Sequence, residues 1–292
     1  MIKYLSVIIA CFLFVGTVQS QNDKIGFGFR AGASVSKLDG PLETGPNGED
    51  LEEYTNARGF HIGALVNYKV TDLFGFRGEM VYSQRGTKYS YNGPSYYELG
   101  RYDTRNTTIL GIRKQTLDVS NSFLDIPIMA YYKIGSFEIS GGVNTGILIG
   151  STAGGATNFE HISSLGDTVN FEVGLNHTYK KDEAKGASET TIDVSIDGSF
   201  PYAVPETVYA YYEFETKEKN WYNTVDFGLV FGAAFYINEG LFISARYTHG
   251  LGDVDQNTYD VSLKELNPDG SFIYRNDKNE SRSWQFSIGF SF

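Results

Sequence analysis

Trp284-Gln285-Phe286-Ser287-Ile288-Gly289-Phe290-Ser291-Phe292 alternates large apolar with small polar residues and stops on an aromatic. A period of two sends successive side chains to opposite faces of a strand, so one face here is wholly apolar. The other holds Gln, Ser and Gly. That filling suits a narrow barrel lumen, whereas a solvated face would carry Lys and Glu.

Seven further segments repeat the pattern: 24–37, 58–70, 73–87, 117–134, 137–149, 222–237 and 241–251. In the first, Ile25, Phe27, Phe29, Ala31, Ala33 and Val35 oppose Gly26, Gly28, Arg30, Gly32, Ser34 and Ser36. In the sixth, Val225, Phe227, Leu229, Phe231 and Phe235 oppose Asp226, Gly228 and Gly232. Each segment supplies the ~9–11 residues that a tilted membrane strand needs. The connections near 72, 135 and 239 are tight, while the others cover 38–57, 88–116, 150–221 and 253–281. Short alternating with long is the asymmetry of an outer-membrane barrel, with tight periplasmic turns and large outer loops. An even strand count puts both termini in the periplasm. In lipid every backbone polar group needs a partner, so the first strand must close on the last. The expected fold is all-β: an eight-stranded antiparallel transmembrane up-and-down β-barrel with long extracellular loops, in a bacterial outer membrane.

The 150–221 connection is too long for a structureless loop. It alternates at Val169–Leu175, at Ile192–Ile196 and around Val208, which predicts strand extensions and a β-hairpin above the membrane. A ten-stranded barrel would absorb that hairpin into the wall. Glu172, Asp193, Asp197, Glu213 and Glu215 put more charge there than a lipid-facing belt tolerates, which favours eight.

The N-terminus reads as a signal peptide over 1–20, leaving a barrel domain over 21–292. Lys3 precedes an apolar run from Leu5 to Val18, and Val18-Gln19-Ser20 supplies the cleavage positions. Ile8-Ile9-Ala10-Cys11 fits a loose lipoprotein box, but cleavage there would strand Phe12-Leu13-Phe14-Val15 on the mature end. Cys11 is the only cysteine, so a chain without the leader has neither disulfides nor a thiolate. A formal charge of −11 argues against nucleic acid as a partner.

Gly78-Glu79-Met80-Val81-Tyr82-Ser83-Gln84-Arg85-Gly86, Phe123-Leu124-Asp125-Ile126-Pro127-Ile128, Asp226-Phe227-Gly228-Leu229-Val230-Phe231-Gly232 and Ala245-Arg246-Tyr247-Thr248-His249-Gly250 resemble recurring segments of the PorT-like outer-membrane β-barrel proteins of Bacteroidota, a porin-family grouping. The resemblance covers the mature chain outside the loops. It implies an eight-stranded barrel in the cell envelope, with an envelope or secretion-complex protein as partner and no assigned reaction. The 150–221 insertion departs from the compact family pattern. Phe286, Phe290 and Phe292 resemble the C-terminal signal read by the barrel assembly machinery.

The inward set holds Arg30, Arg77, Arg85 and Arg246 with Glu79, Asp125, Glu138 and Asp226. Isolated buried charges are costly, so these are expected to form an internal salt-bridge network that fixes register and fills the lumen; the alternative is a small-ion path. His61 and His249 fall near strand ends, and His161 and His177 in the long loop, none at a metal-helix spacing. Candidate partners for His249 are Ser244, Thr248 and Asp253. Gly26-Phe27-Gly28-Phe29-Arg30-Ala31 mimics a dinucleotide fingerprint but sits inside a strand. Asp253-Val254-Asp255-Gln256-Asn257 begins like a calcium loop, yet Thr258 and Lys264 break it. No cofactor, metal or catalytic set is expected.

Barrel scaffolds are generic, and their outer loops carry recognition. In loop one Glu43, Glu49, Asp50, Glu52 and Glu53 read as a solvated face. Tyr202, Tyr209, Tyr211, Tyr212 and Trp221 form a candidate recognition loop; they either pack the hairpin or present a contact surface for protein or glycan. The expectation is a non-enzymatic envelope anchor or interaction module, bathed in outer-membrane lipid and lipopolysaccharide. A small-solute pore and a lipid- or envelope-modifying enzyme are the alternatives.

Overall fold

A computed structural model describes residues 24–103, 105–162 and 166–292. The leader, with Cys11, lies outside the described residues. The strands, in chain order, are β1 (Ile25–Asp39), β2 (Glu52–Lys69), β3 (Phe74–Leu99), β4 (Thr107–Ile134), β5 (Phe137–Ile162), β6 (Thr168–His177), β7 (Thr191–Val194), β8 (Tyr202–Pro205), β9 (Thr207–Val208), β10 (Val225–Tyr236), β11 (Leu241–Gly250), β12 (Val261–Leu266), β13 (Phe272–Tyr274) and β14 (Glu280–Ser291).

Eight of these strands close a ring in the order β1-β2-β3-β4-β5-β10-β11-β14. β14 returns antiparallel to β1, with Phe29 opposite Phe290 and Val35 opposite Trp284. Closure leaves no free edge at lipid depth. Alternation sorts the faces: Phe29, Phe60, Met80, Ile128, Val143, Phe231, Ile243 and Ile288 stand exposed around the outside. Water would not tolerate such a girdle, and hydrocarbon does. The short turns lie at one end of the ring; at Gly135 the chain takes φ 58°, which glycine adopts without steric penalty.

The other end carries a folded head. The stretch 88–116, expected as a connection, is strand: the β3–β4 ladder runs without a break from Val81↔Asp125 to Leu99↔Thr107, leaving only 100–106 as the turn. Its exposed positions include Lys88, Asn92, Pro94 and Lys114, which break the aliphatic face that marks lipid contact. β5 likewise continues to Ile162 and pairs with β6 through Ala153↔His177 to Ile162↔Thr168. β6 is thus bonded to the part of β5 beyond its pairing with β10, which spans Phe137 to Ile147. The wall therefore has eight strands and not ten. β7 and β8 form a hairpin, β9 lies parallel to β6, and β12 and β13 make a second hairpin.

Loop one is another correction. Glu43 and Glu52 are buried, and only Glu49, Asp50 and Glu53 face solvent. Glu52 meets Arg275 at 2.7 Å and accepts from the Tyr89 hydroxyl at 2.8 Å; Glu43 accepts from Ser262 and from the Leu263 amide. These contacts bind loop one to the segment around β12 and β13. Their cause is length: the head stands high enough above the ring for distant loops to meet over it.

Candidate functional site

Two regions could carry function: the lumen and the head above it. All eight charged residues picked out in the sequence are buried inside the barrel. Nearest the turn end, Arg77 grips Glu138 through both guanidinium nitrogens at 2.7 and 3.0 Å, and its Nε donates to Asn67. Tyr236 donates to the same carboxylate at 3.0 Å. Arg246 grips Glu79 at 2.7 Å twice, with Arg30 at 3.8 Å from Glu79 and bonded to Gln285. Toward the loop end, Arg85 bridges Asp125 and Asp226 and lies 4.4 Å over the Phe123 ring. Ser83 and Asn144 donate to Asp125.

Four cations thus meet four carboxylates, and the forked geometry satisfies both partners at once. The cavities beside Arg30 and beside Arg85 are about 10 Å³ each, room for about one water. His61 is not at a strand end; it sits within β2 in the lumen, 3.1 Å from Ser34 and 2.8 Å from Ser287. An apolar layer of Leu65, Ala234, Tyr236 and Phe242 fills the lumen beside the Arg77 pair. Asn67 and Gln285 lie on faces that alternation already marks as inward, and counting alternate positions from Asp226 adds Tyr236, which the candidate set lacks.

The head holds two clusters: one of Leu99, Phe159, Phe171, Val194 and Val204, and one around Tyr211 that runs on into the barrel mouth through Leu38, Phe123 and Leu148. Tyr211 is fully buried; its hydroxyl donates to the Tyr179 carbonyl at 2.8 Å and accepts from the Trp221 amide at 2.7 Å. Around it pack Phe214, Tyr222 and Tyr259, the last stacked on Trp221 at 5.3 Å. Tyr211 is therefore no contact surface but the centre of a core outside the hairpin. Tyr209, Tyr212 and Trp221 are half-buried around it. Tyr202, on β8, is set apart: it bonds Thr107 and stacks under Arg105. Phe286, Phe290 and Phe292 lie on the outer, exposed face.

Between head and lumen lies a cavity of about 180 Å³, lined by the aromatic core and by Glu52, Arg113, Asp255 and Arg275. His177, 3.1 Å from Tyr179, borders it, and burial lowers its pKa to about 4, keeping it neutral. His249 meets Arg282 and, at 3.8 Å, Glu280, not Asp253; Ser244 Oγ is buried without a partner. The serine–histidine–aspartate alternative for this residue has no geometric support.

Asp255 joins the loops, pairing across Tyr222 and accepting from Asn279. Burial, then a hydrogen bond and repulsion from Asp253, raise its pKa to about 8. Because the folded state holds this proton more tightly than the unfolded chain, the associated stability is full below about pH 4 and is lost as pH rises through about 8. Proteolysis of the 163–224 and 251–279 loops should accordingly be faster at pH 8.5 than at pH 5. Asp255→Asn should flatten that difference; an equal pH dependence in the variant would remove Asp255 as its source.

A family model described as "Outer membrane protein beta-barrel domain" matches residues 19–256. No curated protein matches the chain at a significant level. Among solved structures, the attachment invasion locus protein Ail of Yersinia pestis is 12% identical with a TM-score of 0.35, covering 92% of this chain and 99% of that one. Neisserial surface protein A is 12% identical, TM-score 0.34, with 91% and 95% covered. OprG from Pseudomonas aeruginosa is 11% identical, TM-score 0.32, with the same coverage of 91% and 95%. At such identities nothing about activity follows.

Proposed function

This chain belongs to the outer membrane protein β-barrel domain family, and on that premise we propose that it is a closed, non-enzymatic envelope barrel that holds a recognition head above the membrane. The observation that carries this reading is the pairing of all four lumen arginines with carboxylates across a filled interior, beneath a head with a core of its own around Phe159 and Phe171. Matched charges in a filled lumen favour a rigid plug over a path for ions. The head faces outward in this reading, with both chain termini in the periplasm. Outer-membrane lipid and lipopolysaccharide surround the aliphatic girdle, and the terminal aromatics serve insertion by the assembly machinery. The PorT-like segments of the wall support a partner within an envelope or secretion assembly.

The β7–β8 hairpin of the head carries Phe200, 81% exposed, at its tip. A photo-crosslinker at 200 in cells should capture one stoichiometric envelope protein. Deleting 191–205 should abolish the crosslinked product while leaving the heat-modifiable mobility of the barrel unchanged. In planar bilayers the purified chain should show no ohmic steps. Regular single-channel conductance would turn the reading to a pore, and a head that captures nothing would end the recognition role.

A further inference from the structure

Arg113, on the part of β4 above the ring, is 4% exposed. Its NH2 donates to the Tyr96 carbonyl at 2.7 Å, and its Nε is buried without a partner. It forms no ion pair with any described carboxylate, Glu213 included. Each of the other deeply buried arginines, Arg30, Arg77, Arg85 and Arg246, meets an acid. An unpaired guanidinium at this depth is costly. It borders the 180 Å³ cavity on one side and, on the other, a smaller one of about 50 Å³ with Glu98 and Glu213 in its wall.

We propose that this cavity is a binding site for a small aromatic carboxylate, with Arg113 receiving the carboxylate. Size sets the first limit: a cavity of ~150 Å³ with apolar walls accommodates benzene, so this one takes a single ring with a short substituent. The walls set the second. Trp221, Tyr179, Tyr222 and Tyr259 already pack edge-on or offset against one another and present ring faces and edges to a further ring. Charge sets the third. Arg113 has unused donors in a planar fork that matches a carboxylate. Of the acids in the cavity wall, Glu52 is taken by Arg275 and Tyr89, Asp255 accepts from Asn279, Asp260 accepts from the Asp277 amide, and Glu213 forms no ion pair with Arg113. The inference rests on the closed-barrel reading only in that the ligand stops in the head and does not pass through; conductance tests that reading separately.

Trp221 and Trp284 are the two tryptophans of the chain. Trp284 lies on the outer face, so Trp284→Phe leaves Trp221 as the sole reporter in the cavity wall. In that background, in detergent micelles, benzoate should change the tryptophan emission saturably. Benzyl alcohol, which keeps the ring without the charge, should bind about ten- to a hundredfold more weakly, the worth of a hydrogen bond to a charged group. Arg113→Gln should weaken benzoate by a similar factor and leave benzyl alcohol unchanged. The benzoate–benzyl alcohol comparison needs no variant at Arg113 and stands even if Arg113→Gln disturbs the head. Absence of saturation by millimolar benzoate, or equal affinity for the two ligands, overturns the proposal.

Discussion

Arg85→Met is expected to destabilise the barrel by about 3–5 kcal/mol, the cost of breaking a buried ion pair and leaving its partner uncompensated. At this position the substitution strands two carboxylates, Asp125 and Asp226, in the lumen, where both are buried. One Asp226 oxygen already lacks a partner, so no spare donor is on hand to absorb the loss. The triple variant Arg85→Met, Asp125→Asn, Asp226→Asn should recover most of the stability, because replacing a buried ionic set with neutral groups of similar volume is often close to neutral. Urea unfolding of the refolded chain in micelles, read by heat-modifiable mobility, distinguishes the two. If the single variant matches wild type, the cluster is hydrated and the lumen is not the filled plug described above.

Tyr211→Ala is expected to open the head and leave the ring standing. The side chain is fully buried and bridges Tyr179 and Trp221 through its hydroxyl, so truncation costs about 3–5 kcal/mol as a large aromatic lost from a core. The ring shares this cluster only at its mouth, through Leu38, Phe123 and Leu148; it is held chiefly by the eight-stranded ladder and the lumen ion pairs and should keep its unfolding midpoint. Limited proteolysis should then cut within 163–224 in the variant under conditions that leave the parent intact. Tyr211→Phe keeps the ring and removes only the hydroxyl; it should cost about 1–3 kcal/mol, because the Trp221 amide loses its acceptor. A shared midpoint for head and barrel in Tyr211→Ala would show that the two cores unfold as one unit.

The pairings inside the lumen mark where sequence reading stops. Arg77 and Glu79 sit two residues apart on the same inward face, and a reader of β3 alone would pair them with each other or with nearest neighbours. In the structure they diverge: Arg77 reaches Glu138 on β5, and Glu79 reaches Arg246 on β11. Side chains two apart on a strand point the same way, so their partners must come from across the ring. The same limit hid Arg113. Its neighbours Ile109, Leu110 and Ile112 keep no sustained period of two, and only the pairing of Arg113 with Gly93 and Phe159 shows that the stretch is strand.

By itself the sequence determined the ring: eight lipid-spanning strands, their inward and outward faces, the alternation of tight and long connections, and the closure of the last strand on the first. Those follow from a period of two and from the need of every backbone group in lipid for a partner, both legible residue by residue. Only the tertiary structure decided which cation meets which carboxylate, that the tyrosines of the long loop form a core, that Glu43 and Glu52 tie loops together, and that a cavity walled by Arg113 lies between head and lumen. These depend on register and on loops meeting over the barrel mouth, which are relations between residues as far apart in the chain as Glu52 and Arg275, 223 positions, and leave no periodic trace along it.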